Sequence, residues 1–420
     1  MLIILGLVLV SSIFTAVRRP LIGIAAALSL WAILPWVAVP AVLGAEYSDT
    51  HFHPGTLIIA GQALVIILRV GPKSLYVDRP AGKIVGLIGI CLVYMAVVTA
   101  LSGRGSTLLI DQLVAPYLLL LLIMRAIRQD ENSVQILVKF VLLLASVQVL
   151  VVVLVFMDIV NQPFASMYTN YYWFEYLADR QMGTLDHPLT LGTLLVVAVP
   201  LAFTLKSPMG QSVLTIWLLV GILLSQSRTA LLLGAIAILW LVFSRPAGAW
   251  VKWLSLVVFG VLFYLLTASN VGQGIVSRVI DDSGSTGARL QAIDVFLDNA
   301  SGFLVLGLGP LASYEFAQLS GMTTSFESAI LMFSIDYGII ATLVLFAAMS
   351  ILACMSLDPL VKIATIFVLV MSASYSSLST ESIAGPLAFT LLAIAAGHDR
   401  ANRLKNTTMK LLPEQPPHAL

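Results

Sequence analysis

Charged side chains are scarce in this sequence: Asp, Glu, Lys and Arg together make up 10% of its 420 residues. A soluble chain of this length would carry about 25% charged residues, so the composition excludes an ordinary soluble globular protein. The formal net charge is only +1 and gives no sign of a basic surface for nucleic acid. We therefore expect no nucleic acid among the partners.

Cysteine is equally rare, since the chain has only Cys91 and Cys354. Both lie inside apolar runs and neither has the spacing of a metal site, which excludes a disulfide framework and a cysteine-based metal centre. The first apolar run, Met1 to Ala16, has no basic residue before it and no small-residue cleavage site. This run therefore predicts a retained membrane span and not a signal peptide.

Hydrophobic residues dominate, at 59% of the chain with a mean hydropathy of +1.00. Apolar runs of about 17–25 residues recur along the whole length, and each is long enough to cross a bilayer. The sequence predicts an all-α, polytopic helical membrane protein with about 13 transmembrane helices. We place the spans at residues 1–17, 20–43, 56–70, 83–101, 107–124, 133–157, 188–205, 211–225, 229–244, 250–268, 326–353, 357–375 and 383–397.

The distribution of basic residues agrees with this map. With the N-terminus outside, 17 of the 22 Lys and Arg fall in inside loops, every lysine among them. Cytoplasmic loops of membrane proteins carry such an excess. The outside face keeps only five arginines, at positions 104, 180, 228, 278 and 289, among many acidic residues. Salt bridges to those acids are the alternative explanation, strongest for Arg104 and Arg278.

Three parts of the chain follow from this map. Residues 1–130 form N-terminal transmembrane helices, residues 131–397 a catalytic transmembrane region with outside inserts at 158–187 and 269–325, and residues 398–420 a cytoplasmic tail. The two halves differ and show no internal repeat, which weighs against transporters built from repeated halves.

The first insert combines aromatic residues with an arginine. Tyr172 and Trp173 belong to an aromatic run, Arg180 follows it, and His187-Pro188 opens the next span. Aromatic rings offer apolar faces on which sugar rings stack, although Tyr and Trp also form a belt at every membrane surface.

A tight turn, Ser225-Gln226-Ser227-Arg228, joins two apolar spans at the outer surface. The planar guanidinium of Arg228 can bind two phosphate oxygens at once and stays charged at any relevant pH. The alternative is an arginine that reaches lipid headgroups and has no substrate.

The second insert contains an amphipathic helix predicted at residues 288–299. Leu290, Ile293, Phe296 and Leu297 would share its apolar face. Ser285 or Thr286 would cap the helix, placing Arg289 in its first turn, where the backbone also favours an anion.

Two further features follow the helix. Gly307-Leu308-Gly309-Pro310 is a loop that allows close backbone approach. Glu327 lies at the outer mouth of a long span, where a carboxylate is placed to act as a general base or to complement the helix dipole. Asp336, deeper in that span, is either a buried hydrogen-bonded group or part of a polar pocket.

In this order the motifs resemble the superfamily of O-antigen ligases and O-antigen or exopolysaccharide polymerases. The resemblance is carried by Arg180 with Gly183 and His187-Pro188, by Ser225 to Arg228, by Arg289, by Gly307 to Gly309, and by Glu327 with Asp336-Tyr337-Gly338. It covers about residues 130–345, and the first 130 residues match in hydropathy only.

The resemblance implies a glycosyltransferase of the bacterial inner membrane that uses no metal or other cofactor and whose active site faces the periplasm. Its partners would be an undecaprenyl-diphosphate-linked glycan donor, a glycan acceptor and the lipid bilayer, with a chain-length regulator and a flippase of the same pathway as further candidates. Arg228 and Arg289 would hold the diphosphate, Arg180 would assist, and Glu327 would take the acceptor proton, with His187, Tyr172 and Trp173 as further substrate-binding residues.

One position separates the two activities of that superfamily. Ligases that attach glycan to lipid A core usually have a histidine near the place of Glu327, in a His-Asn-like context. This chain has Phe326-Glu327-Ser328, which is more similar to the polymerases. We therefore expect a polymerase, with the ligase as the alternative and a lipid-linked sugar transporter as the weakest alternative.

Overall fold

The computed structural model describes residues 17–43, 51–169, 180–244 and 283–411 except 79, 323 and 377, with single helical positions at 6, 10, 11, 15, 174 and 260. For residues 283–286 and 398–411 it describes the backbone alone. Within these ranges the secondary structure is helical and contains no strand. The predicted span at 250–268 and most of the one at 1–17 lie outside the described residues.

The helices run in the order of the predicted spans. They are α1 (Pro20–Ile33), α2 (Val39–Leu43), α3 (Pro54–Val70), α4 (Ala81–Ser102), α5 (Ser106–Gln129, with a π-turn at Ile110–Val114), α6 (Asn132–Phe156), α7 (Ala165–Tyr168), α8 (Pro188–Ala202), α9 (Pro208–Ser225), α10 (Arg228–Ser244), α11 (Ser283–Asn299), α12 (Ala312–Leu319), α13 (Ala329–Tyr337), α14 (Ile339–Cys354), α15 (Pro359–Ser374) and α16 (Ala384–Leu411).

The predicted total of about 13 spans is not confirmed. Among the described residues, α4, α5, α6 and α9 are long and apolar enough to cross a membrane. The predicted span at 20–43 is a pair of helical segments, Pro20–Ile33 and Trp36–Leu43, bent by 89°, and would count as a fifth if it crosses as one. The other apolar helices are shorter, with 10–17 residues. The lengths and apolar composition of these helices indicate a membrane protein.

Helix α8 is the centre of the bundle. Its residues are buried along the whole length except for partial exposure of Leu189, and it packs against α6, α9, α10 and α15. Because every face meets another helix, its sequence is apolar all round and shows no amphipathic stripe. The outer helix α4 instead leaves Ile90, Val93, Val97 and Leu101 exposed, as expected of a surface that meets lipid.

Several helices begin with the same local device. His53, His187, Ser207 and Asp358 each precede a proline, and each side chain accepts a backbone N–H from the first turn. Such caps satisfy an amide that has no partner inside the helix, and proline fits the first helical position because it has no N–H to lose.

The end of the bundle where α3, α5, α8, α10 and α16 begin is called the site end below. Contacts between residues far apart in the chain join the loops at this end. The Trp36 amide donates to Asp186 over 2.9 Å, the Gln112 amide donates to the Ser382 carbonyl over 2.9 Å, and Arg104 forms a 2.7 Å ion pair with Glu315. The loops expected on the outer face therefore meet at one end.

Candidate active site

Arg289 and Glu327, 38 residues apart in the chain, form an ion pair at the site end. The Arg289 Nε lies 3.2 Å from the Glu327 Oε2, and the two side chains are 51% and 37% exposed. The pair is therefore formed by a single N–H donor and is open to a ligand from outside. The structure thus brings together the predicted phosphate-binding arginine and the predicted base, whose roles stay predictions.

The backbone at Glu327 is unusual, with φ of +45°. A left-handed conformation costs a residue that has a Cβ about 1–2 kcal/mol. The chain turns here from the loop into α13, which begins two residues later at Ala329. Such outliers concentrate at functional sites, where the surrounding structure holds them in place.

Hydrogen bonds connect the start of α13 to the centre of the bundle. The Ala329 amide donates to the Tyr375 carbonyl over 3.1 Å, and the Tyr375 hydroxyl lies 3.0 Å from the Thr193 hydroxyl of α8. Sequence reasoning did not identify Tyr375 or Thr193. A polar residue in an otherwise apolar span was the available signal for Thr193, whereas nothing in the sequence indicated its partner.

The turn before α10 has the tight geometry that its sequence predicted. Gln226 takes a left-handed conformation with φ of +50°. The Ser227 hydroxyl then caps α10 by accepting the Ala230 amide over 3.3 Å. The turn packs closely on α8, because a Cβ at Gly192 would lie 2.9 Å from that of Ser227. Arg228 is the first residue of α10 and is half-buried.

Arg180 is fixed against the same turn. Its Nε donates to the Ser225 carbonyl over 3.1 Å, and the next residue, Gln181, donates its amide to the Leu224 carbonyl over 3.0 Å. The segment before α8 thus covers the end of α9. We call Arg180 together with residues 225–228 the arginine corner. It joins two of the arginines that the sequence singled out.

His187 lies beside this corner as the N-cap of α8. Its Nδ1 accepts the Leu189 amide over 3.1 Å. Burial, followed by the positive charge of Arg180, lowers the pKa of His187 from 6.5 to about 3. The imidazole is therefore neutral at physiological pH, which suits a cap acceptor. Its predicted contact with substrate stays a prediction. Tyr172 and Trp173 lie outside the described residues.

The prediction for α11 was wrong in two respects. The helix already includes Ser283, so Arg289 lies beyond the first turn and does not share an anion site with free helical amides. Ser285 and Thr286 lie inside the helix and do not cap its start.

Of the four residues predicted on the apolar face of α11, only Phe296 is buried. Ala292 and Phe296 are buried, whereas Leu290, Ile293 and Leu297 are 58%, 43% and 63% exposed. Phe296 stacks on Phe303, which anchors the helix to the following segment. The exposed leucines and isoleucine leave an apolar stripe beside the ion pair.

The Gly307–Gly309 loop pairs with the break between α13 and α14. The Leu308 and Gly309 amides donate to the Ile335 and Asp336 carbonyls over 2.8 and 2.9 Å. A Cβ at Gly307 would lie 2.2 Å from the Asp336 backbone, so only glycine fits. The predicted single span at 326–353 is therefore two helices, broken at Gly338.

Asp336 proves to be a buried hydrogen-bonded group and not part of an open pocket. Its Oδ1 accepts the Ser313 amide over 2.8 Å, which ties the start of α12 to the end of α13. Arg104, for which the sequence offered a salt bridge as the alternative explanation, forms an ion pair with Glu315 of the same helix α12. Arg278 lies outside the described residues. Within the part of the chain that the structure describes, no three His, Cys, Asp or Glu side chains are placed to hold a metal ion.

Comparison with known proteins supports the family resemblance. A family model described as O-antigen ligase matches residues 213–346. The matched region contains the Ser225–Arg228 turn, Arg289, the Gly307–Gly309 loop and Glu327. No curated protein and no solved structure matches the chain.

Proposed function

We propose, from the O-antigen ligase domain at residues 213–346, that this membrane protein is a glycosyltransferase that polymerises a surface polysaccharide. It joins oligosaccharide repeat units carried on undecaprenyl diphosphate into an O-antigen or exopolysaccharide. The reaction would take place at the periplasmic face of the inner membrane, and we expect the site end to face that side. Members of the matched family are glycosyltransferase-like enzymes, either ligases or polymerases.

The ion pair between Arg289 and Glu327 is the observation that carries the proposal. A half-exposed pair of this kind contributes only about 0–1 kcal/mol, because water solvates both groups well. A diphosphate carries more negative charge than one carboxylate and offers several oxygens to a guanidinium. Arg289 can therefore exchange Glu327 for the donor diphosphate at little cost, which leaves a carboxylate free next to the bound donor.

The chemistry then balances in one displacement. The acceptor hydroxyl oxygen attacks the anomeric carbon while the bond from that carbon to the diphosphate oxygen breaks, which inverts the configuration. Glu327 takes the proton of the hydroxyl. The electron pair of the broken bond leaves on undecaprenyl diphosphate, and Arg289 stabilises the charge that grows there.

The arginine corner supplies the further positive charge for the diphosphate. Arg228 lies at the first position of α10, and Arg180 is held to the Ser225 carbonyl on the same turn. A cation held as Arg180 is needs no rearrangement as negative charge develops, so it favours the transition state over the ground state. His187 and the aromatic residues Tyr172 and Trp173 would bind the glycan.

The apolar stripe on α11 supports a lipid-linked donor. Leu290, Ile293 and Leu297 are exposed on the helix that carries Arg289. An exposed apolar helix face with charged residues beside it favours a position in the membrane interface. A carrier lipid in the bilayer can then present its diphosphate to Arg289 directly.

The ligase activity is the second candidate, and the family model that matches residues 213–346 supports it equally. A ligase would use the same donor and the same arginines, but would transfer a finished polymer to lipid A core. Glu327 in place of a histidine favours the polymerase. A chain-length regulator and a flippase of the same pathway are proposed partners in either case.

A gel of lipid-linked and surface glycans from cells that carry only Arg228→Ala protein tests the proposal. A polymerase predicts accumulated single repeats without long chains, whereas a ligase predicts long chains left on the carrier lipid. Arg69→Ala, exposed at the opposite end of α3, serves as the matched control and should give the normal pattern. A normal pattern from Arg228→Ala, at normal protein level, would contradict both activities.

A further inference from the structure

An apolar segment of the second insert, residues 304–309, lies against the outer half of helix α4. Its backbone forms neither helix nor strand. The Tyr94 hydroxyl of α4 donates to the Val305 carbonyl over 2.5 Å. Farther along, a Cβ on Gly309 would meet the side chain of Ser102, the last residue of α4. The segment therefore follows α4 from the level of Tyr94 to the end of the helix.

The lengths of the two chains agree with this course. Tyr94 and Ser102 are eight residues apart on α4, which at the helical rise corresponds to about 12 Å. Val305 and Gly309 are four residues apart, and four extended residues cover about 13 Å. The segment is thus nearly extended and runs alongside the helix, in the same direction.

Helix α4 sets the depth of the segment in a bilayer. It has 22 residues and is long and apolar enough to cross a membrane. At the helical rise it measures about 33 Å, close to the thickness of the hydrocarbon core. Val305, at the level of Tyr94, then lies about 12 Å below the end of α4. This part of the insert, which the sequence map placed outside, is at membrane depth.

The side chains of the segment point away from the protein. Within the described part of the chain, four of them are 48–58% exposed, namely Leu304, Val305, Leu306 and Leu308. On α4, Val93 and Val97 flank Tyr94 and are 67% and 52% exposed. The exposed apolar surface therefore continues without a break from the lipid-facing side of α4 onto the segment.

Hydrogen bonds on the inner side satisfy part of the irregular backbone. Such backbone is tolerated at membrane depth only where protein or water pairs its polar groups. The Leu304 carbonyl accepts the Ile340 amide over 3.2 Å, and the Val305 carbonyl accepts the Tyr94 hydroxyl. The Leu308 and Gly309 amides donate to carbonyls of α13. These bonds face the protein and leave apolar side chains on the outer side.

We propose that residues 304–308 form a membrane-embedded segment whose partner is the acyl chains of the bilayer leaflet at the site end. The second insert is then re-entrant at this point and not wholly outside. Because Leu308 and Gly309 hold the Ile335 and Asp336 carbonyls, lipid supports the end of the helix that begins beside Glu327. The inference goes beyond the proposed glycosyl transfer and does not depend on it.

Spin labels measure the surroundings of the segment directly. Val305→Cys and Leu308→Cys are each made in a full chain that carries Cys91→Ala and Cys354→Ala, and each is labelled with a nitroxide. The purified protein is reconstituted in vesicles of phosphatidylethanolamine and phosphatidylglycerol. Collision of the label with oxygen, which concentrates in hydrocarbon, is compared with collision with a nickel chelate, which stays in water.

Two further single-cysteine variants supply the references. Val97→Cys, exposed on α4, is the reference for a label in lipid, and Asp298→Cys, exposed on α11, is the reference for a label in water. Thermal melting checks that all the labelled proteins fold. Leu306→Cys, at a third exposed position, replaces either segment variant that does not.

We expect both segment labels to collide with oxygen as the Val97→Cys label does and to be shielded from the nickel chelate. The ratio of the two collision rates gives the depth of a label. The Val305→Cys label should lie about 10 Å deeper than the Leu308→Cys label, since three extended residues separate the two positions.

Two results would overturn the embedded segment. Collision of the Val305→Cys label with the nickel chelate at the rate of the Asp298→Cys label would place the segment in water. Low collision rates with both reagents would mean that another part of the protein covers the segment and that no lipid reaches it. The measurement uses no glycan substrate, so its outcome is separate from the test of the proposed function.

Discussion

Replacing Glu327 by glutamine separates a catalytic role of this residue from a structural one. Glutamine keeps the shape of the side chain and an oxygen that can accept from Arg289, but it cannot take a proton. The ion pair is single and half-exposed, with 3.2 Å between Nε and Oε2, so its loss should cost only about 0–1 kcal/mol of stability. Loss of a general base lowers the rate about 10²–10⁴-fold, or about 3–5.5 kcal/mol in activation free energy.

The assay is the initial rate of polymer formation by purified protein from lipid-linked repeat units, with thermal melting measured in the same detergent. Glu315→Gln is the matched control, because among the described residues it removes another carboxylate that pairs with an arginine, here Arg104 between α4 and α5, at 2.7 Å. The control should keep most of the rate. A Glu327→Gln protein with more than about one tenth of the normal rate would refute the proton-transfer role.

A second substitution at the same position tests the backbone argument. Glu327 has φ of +45°, a conformation that glycine adopts without strain. Glu327→Gly should therefore melt close to the unchanged protein, because relief of about 1–2 kcal/mol offsets the lost ion pair. It should nevertheless be inactive. A large loss of stability would mean that the carboxylate holds the loop, and would contradict the backbone argument.

Three further predictions concern the structure around the site. Gly307→Ala should lower stability by about 1–3 kcal/mol, because the added Cβ would lie 2.2 Å from the Asp336 backbone. Thermal melting checks this against Gly302→Ala, whose added Cβ meets nothing within 4 Å. Equal melting temperatures for the two variants would contradict the prediction. Burial raises the pKa of Asp186 from 3.8 to about 7, so between about pH 4 and 7 the folded state keeps a proton that the unfolded state loses, and stability falls as pH rises through that window. Asp186→Asn should therefore melt at a higher temperature than the unchanged protein at pH 8 and at the same temperature at pH 4. The same difference in melting temperature at both pH values would contradict the raised pKa. His187→Ala should lose about 0.5–2 kcal/mol of stability, because the side chain that caps α8 is removed, whereas asparagine in His187→Asn can still cap the helix. A stable but inactive His187→Asn protein would show that His187 also contacts substrate.

Hydropathy predicted much of the helical order correctly, because long apolar runs leave few alternatives in a bilayer. The spans predicted at 83–101 and 133–157, for example, are the helices Ala81–Ser102 and Asn132–Phe156. The break at Gly338 could not be predicted in the same way. The chain on both sides of it is mostly apolar, and the break is stabilised by hydrogen bonds from Leu308 and Gly309, far away in the sequence.

The register of α11 shows a different limit of sequence reasoning. The helix has apolar residues on two faces, and amphipathic analysis assigned Leu290 and Leu297 to the buried one. The structure buries Ala292 and Phe296 because Phe303 provides the packing surface. In a soluble protein the larger exposed residues would have to be covered, whereas in a membrane protein lipid can cover them.

The distribution of charge was enough to single out candidate arginines, but it could not predict which groups they contact. An arginine on an acidic, lysine-free face was enough to single out Arg180 and Arg289. That Arg180 lies on the Ser225 carbonyl and Arg289 on Glu327 depends on tertiary packing that no local pattern encodes. The buried polar residues Asp111 and Gln112 were missed entirely, since they lie within a run that reads as a membrane span.

The position of Glu327 depends on contacts at both ends of α13. This helix has nine residues, too few to be stable by itself. At its start the Ala329 amide is bound by Tyr375, and at its end the Ile335 and Asp336 carbonyls are bound by the Gly307–Gly309 loop. A carboxylate at the start of a helix fixed in this way keeps its place when Arg289 leaves it for a diphosphate. We therefore expect changes in the glycine loop to lower the rate of transfer through displacement of Glu327.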